Sequence, residues 1–148
     1  MAVRETEILQ GTVQGIAATG AAQVNFYLPH GARIVRYFAV PSVAEAAHAT
    51  QVLSVTFTNK GLDGSGSTAL AVLTNDSDLA DSTTRESGAW VADAVKELVT
   101  NNRPGSPTNA QNVHDDIAAG SVIEAAVAKA AGTQTGDVTV GIEYQRGS

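Results

Sequence analysis

Val138-Thr139-Val140-Gly141-Ile142-Glu143-Tyr144 is the cleanest half-buried strand pattern in the chain. Val138, Val140, Ile142 and Tyr144 fall on one side, and Thr139, Gly141, Glu143 and Gln145 on the other. A period of two marks a strand with one face on a core and the other turned outward. Just upstream, Ala131-Gly132-Thr133-Gln134-Thr135-Gly136-Asp137 carries turn chemistry. Before it, Val122, Ile123, Ala125 and Val127 make a second apolar run. The two runs and the turn read as a closing hairpin that reverses at Gly132–Asp137.

Working outward, the same test finds more strands. Ile8, Gln10, Thr12, Gln14 and Ile16 oppose Leu9, Gly11, Val13 and Gly15, with the glycines weakening the pattern. Val24, Phe26 and Leu28 share a face, and Pro29-His30-Gly31 ends that strand. Arg33 to Val40 is apolar on both faces, with Ile34, Phe38 and Val40 opposing Val35, Tyr37 and Ala39, and reads as a central strand stopped by Pro41. Leu53, Val55 and Phe57 alternate with Val52, Ser54, Thr56 and Thr58. Asn59-Lys60-Gly61 opens a loop that runs through Ser67, and Leu70 and Val72 lie on the strand that follows. Asn75 to Ser87 reads as a long surface loop, Asn101 to Asn112 as a loop or arm, and 44–49 as a helical turn or loop.

Trp90 to Val99 is ambiguous. Trp90, Val91, Ala94, Val95, Leu98 and Val99 recur at helical spacing, and Ser87 could cap such a helix. Periodicity alone therefore favours a helix. Elsewhere, short strands joined by turns, without βαβ alternation, predict an all-β antiparallel sandwich or barrel with at most a short helix. We expect one domain over 1–148, with residues 1–7 as an N-terminal arm.

The 148 residues are 43% hydrophobic and only 16% charged, against roughly 25% charged in soluble domains. So few charges leave less polar material for the surface, which hints at burial against a partner. The net charge of −6 and the scattered Lys and Arg argue against nucleic acid. There is no cysteine, and no run approaches the roughly 20 apolar residues of a membrane helix. The N-terminus lacks the apolar core of a signal peptide, so synthesis in the cytoplasm is expected.

Several stretches carry a family resemblance. Ala118-Ala119-Gly120-Ser121-Val122-Ile123, then Gly132 to Val140 with Glu143-Tyr144, resemble the closing strands of tailed-bacteriophage head decoration (capsid cement) proteins. Val24 to Val35 and Asn75 to Arg85 are similar to other parts of the same family. The resemblance implies a jelly-roll-like sandwich, often trimeric, bound outside an icosahedral shell at capsomer junctions. Its partner would be the major capsid protein, and its place the exterior of the virion. It also implies that Trp90–Val99 is a strand, and it carries no catalytic residues to map.

Candidate chemistry is sparse. Asp76, Asp78 and Asp81 resemble part of a calcium loop but lack its glycine and its bidentate glutamate, so a loop capped by its own side chains is the competing reading. His114 with Asp115 and Asp116 could make a metal cluster or a solvated turn. Asp63 to Ser67 lacks the lysine of a phosphate cradle. No Ser–His–Asp arrangement, paired carboxylates or cofactor motif stands out, so we expect a structural protein and not an enzyme, with no cofactor. Partner contacts are expected from Arg4, Glu5 and Glu7 in the arm, from Asp78 and Arg85, from Arg103, and from Trp90. The apolar neighbours of Trp90 favour a core residue over a contact; in the rival reading of a glycan- or receptor-binding module of a phage fibre or adhesin, it would be a sugar platform.

Overall fold

A computed structural model describes residues 5–15, 20–100 and 116–146. Among them the regular structure is all β, in ten strands: β1 Thr6–Val13, β2 Ala21–Leu28, β3 Ala32–Pro41, β4 Leu53–Gly61, β5 Thr68–Thr74, β6 Arg85–Glu86, β7 Lys96–Val99, β8 Asp116–Ile117, β9 Ser121–Lys129 and β10 Val138–Arg146. They form two sheets. The first has the order β1-β10-β3-β7, with β8 also on β3; the second has the order β2-β9-β4-β5-β6. All pairings are antiparallel except that of β5 with β6. With the two-residue β6 and β8 set aside, each sheet has four strands that interleave along the chain, which is the jelly-roll form of the sandwich.

The core lies between the sheets. The first contributes Ile34, Tyr37, Val140, Ile142 and Leu98; the second contributes Leu28, Leu53, Val55, Phe57, Ile123 and Val127, all within a percent of full burial. Tyr37 and Phe57 meet across the gap with ring centroids 5.2 Å apart. Such tilted aromatic pairs add to what area burial alone contributes.

The alternation of β10 is as expected: Val138, Val140, Ile142 and Tyr144 are all buried. The closing hairpin is corrected. β9 pairs with β2 and β4, whereas β10 pairs with β1 and β3, so the 130–137 connection crosses from one sheet to the other. It is an arch over the core, not a turn within a sheet. Turn residues serve both geometries equally well, so their chemistry does not distinguish them.

β3 is central, but its two faces are not those of simple alternation. Glu143 pairs with Arg36 and Tyr144 with Ile34, which leaves Val35 as an extra residue in a bulge. The bulge shifts the phase, so Ile34 and Tyr37 both reach the core while Arg36 and Phe38 turn outward. Pro41 pairs with Val138 and closes the strand from inside it. β4 also runs further than expected, through Asn59 to Gly61.

The helical spacing of 90–99 is overturned. Trp90 makes a bridge to Glu45, a turn follows with Asp93 at φ 60°, and Lys96–Val99 is strand β7. The reading as strand holds for its second half. Residues 6 and 7, expected in an arm, belong to β1. The stretch 75–87 is not wholly surface: Asn75 is fully buried, and Arg85–Glu86 joins the second sheet.

Candidate partner-contact surface

The two outer faces of the sandwich differ in chemistry. On the first sheet, Arg36 is clamped between Glu143 at 2.7 Å and Glu97 at 3.0 Å. Thr6 donates to the other oxygen of Glu143 at 2.8 Å. The guanidinium lies 4.5 Å from the centroid of Phe38, and Phe38 rests on Gly141, where a side chain would collide with it. Burial works against the charge of Arg36, but the two carboxylates outweigh it and hold the group more firmly protonated. This face is locked by its own ion pairs.

The second sheet turns out small and mostly uncharged side chains. Asn25 and Gln23 on β2 stand beside Glu124 and Ala126 on β9, which stand beside Thr58 and Thr56 on β4. Tyr27, at 61% exposed, caps one end of β2. Lys60 and Glu124 supply the charge here, around a shallow groove of about 260 Å³ shared with Gln23, Asn25 and Val122. The low charge seen in the sequence is thus concentrated on one broad face. A second groove, of about 360 Å³, lies at the β6–β7 connection, where exposed Val91 and Val95 flank Lys96. Burial holds the Lys96 ammonium below its ordinary pKa, with Glu86 and Asp81 opposing, and its Nζ lies 5.2 Å from the Trp90 ring centroid.

Of the anticipated contact residues, Arg4 and Arg103 lie outside the described residues, as do His114 and Asp115 of the candidate metal cluster. Glu5 is exposed. Glu7 is engaged internally: it accepts from the Tyr144 hydroxyl at 2.8 Å and pairs with Arg146 at 2.9 Å. Asp78 is exposed, and its N–H is capped by Asp76 at 2.9 Å. Arg85 donates to the Ala80 carbonyl at 3.0 Å and so braces its own loop. Trp90 is 1% exposed, with Nε1 donating to the Leu53 carbonyl at 3.1 Å. It is a core residue, and the partner anchor expected of it is not available.

The aspartates of the 75–87 loop act as caps. Asp81 accepts from both the N–H and the hydroxyl of Ser87, and no three acidic, histidine or cysteine side chains cluster as a metal site among the described residues. Asp116 pairs with Arg33 at 3.2 Å. His48 Nδ1 accepts from the N–H groups of Thr50 and Gln51 and so holds a turn. Sequence reasoning missed Asn75, whose amide donates to Ala46 and Gln51 carbonyls and whose oxygen accepts from Leu53 N–H. A polar residue between polar residues gives no sign of burial.

No protein-family model and no curated protein matches this sequence. Among solved structures, it is similar to a chain in a structure of infectious bursal disease virus, Gx strain, at 15% identity and TM-score 0.35, covering 99% of this chain and 34% of that one. A chain from the Gt strain is similar at 14% identity and TM-score 0.29, covering 98% and 38%. The chain therefore spans little more than a third of either viral chain, and likeness at this level decides neither fold nor function.

Proposed function

We propose that this chain is a non-catalytic structural protein of a viral particle, acting as a single unit that binds the outside of an assembled bacteriophage head and stabilises it. The observation that carries this reading is the broad outer face of small, mostly uncharged side chains on the β2–β9–β4 sheet of a jelly-roll sandwich. Such a face suits flat contact with another protein surface and offers no deep site for a small molecule. The resemblance to head decoration proteins names the shell, and that step is an analogy of family and fold. The partner would be the major capsid protein, and the location the virion exterior.

The mechanism is mass action. A protein that binds the assembled shell and not its free subunits stabilises the shell in proportion to its occupancy. Several copies acting together add avidity without new contacts. The resemblance implies three copies at each junction. The glycan-binding alternative loses ground because Trp90, Tyr37 and Tyr144 are all buried, which leaves Tyr27 as the one exposed Trp, Tyr or Phe ring among the described residues. The test is to mix purified protein with undecorated heads of the phage that encodes it. Co-sedimentation and a gain in heat resistance support the reading; neither occurring overturns it.

A further inference from the structure

Lys129 ends β9 and follows Ile123, Ala125 and Val127 on the face that meets the core. It is 3% exposed. An ammonium in such a place lacks the hydration that stabilises its charge, which favours the neutral amine. Burial lowers its pKa, with Asp137 and Glu45 opposing. A desolvated, neutral lysine is a nucleophile.

The arch above it presents an acyl group. Lys129 Nζ donates to the Gly136 carbonyl at 2.9 Å and lies 3.5 Å from Gln134 Oε1. Amine and carboxamide therefore stand at the edge of the roughly 3–3.5 Å range from which acyl attack proceeds. Gln134 Oε1 also accepts from the Gly136 N–H. That donor sits where negative charge develops when a nucleophile adds to the carboxamide. A Cβ at 136 would stand 3.2 Å from the same oxygen, so a bare backbone suits the approach. Glu45 holds Gln134 by its main chain, its Oε2 accepting from the Gln134 N–H at 2.6 Å. Gln134 Nε2 is buried and has no hydrogen-bond partner among the described residues. Buried polar atoms are nearly always paired, so this orphan needs a reason.

We infer that Lys129 and Gln134 join in an amide bond with loss of ammonia, closing the arch covalently over the end of the core. Nζ of the neutral amine attacks the Gln134 carboxamide carbon, and the oxygen takes up charge against the Gly136 N–H. Glu45 carries a proton from Nζ to Nε2. The carbon–Nε2 bond then breaks and ammonia leaves. One amine and one primary amide give one secondary amide and ammonia, with no change of oxidation state and no further reactant. The product removes both costs of the site. The buried charge is gone, and the orphan nitrogen departs as the ammonia. The single N–H left on Nζ still suits the Gly136 carbonyl. This inference does not rest on the shell-binding reading.

Mass spectrometry of the purified wild type tests it. The intact chain should weigh one ammonia less than its sequence. Trypsin should fail to cut after Lys129, and fragmentation should place the missing mass between Lys129 and Gln134. Lys129→Met and Gln134→Met should each keep the ammonia, and Glu45→Gln should keep most of it. A lysine that merely braces the arch predicts a full mass and a normal cut. That result, a loss placed elsewhere in the chain, or a link that forms as completely in Glu45→Gln would each overturn the inference. The wild-type measurement decides it even if a variant does not fold.

Discussion

Phe38 lies directly against the bare backbone of Gly141: a methyl added at 141 would collide with Phe38 Cζ and stand 2.8 Å from the Leu9 carbonyl oxygen. The ring cannot retreat easily, because Arg36 covers it at 4.5 Å and is itself held by two carboxylates. Gly141→Ala should therefore destabilise the fold by about 2–3 kcal/mol, the scale of forced overpacking. Urea unfolding measures this, and a change within about 0.5 kcal/mol, typical of an open surface site, would contradict the contact.

Asn75 ties the 42–52 connection to the start of β4. Its amide satisfies the Ala46 and Gln51 carbonyls at 2.7 and 2.9 Å, and its oxygen accepts from Leu53 N–H at 2.8 Å. Asn75→Ala leaves buried backbone groups without partners and should cost about 3 kcal/mol. Asn75→Asp keeps the acceptor and loses both donors, and should also destabilise. Chemical denaturation of the two variants checks this; wild-type midpoints for either would show that the amide is dispensable.

Trp90 is the only tryptophan in the chain and is 1% exposed, so it reports on the core without interference. Native emission should be blue-shifted and resist acrylamide quenching, with both properties lost on unfolding. Trp90→Ala should destabilise by about 3–5 kcal/mol. Emission in the folded protein resembling free tryptophan would place the ring on the surface and revive the platform reading.

Tyr144 gives a signed pH dependence. Burial, and then the hydrogen bond to Glu7, push its phenol above the ordinary value of 10.0. The fold therefore holds its proton after the unfolded chain has released it. That stabilisation is complete below about pH 10 and is lost as pH rises through the folded-state value. Lys96 and Lys129 are both shifted down, chiefly by burial, and act in the opposite sense, so the comparison must be with Tyr144→Phe. Wild type should exceed Tyr144→Phe in stability at pH 8, and the gap should close above pH 10. A gap that stays constant across that range would contradict the coupling.

Strand alternation made most of the sandwich legible. Leu53, Val55 and Phe57, and Val138 through Tyr144, sit where a period of two puts them. What stayed hidden was relational. Nothing in Gly132–Asp137 says whether the flanking strands pair or part. A one-residue bulge at Val35 is invisible to a pattern that tolerates apolar residues on both faces. At 90–99, Trp90, Leu98 and Val99 are all buried, but a turn between them imitates helical spacing. The contact surface was legible only as a shortage of charge. Its location required knowing which strands share an outer face.

Sedimentation of the purified protein with undecorated phage heads tests the central claim most directly. The account predicts saturable co-sedimentation with assembled heads, none with unassembled capsid subunits, and heads that withstand a higher temperature when the protein is bound. Protein that stays in the supernatant at saturating concentration, with head stability unchanged, would contradict it.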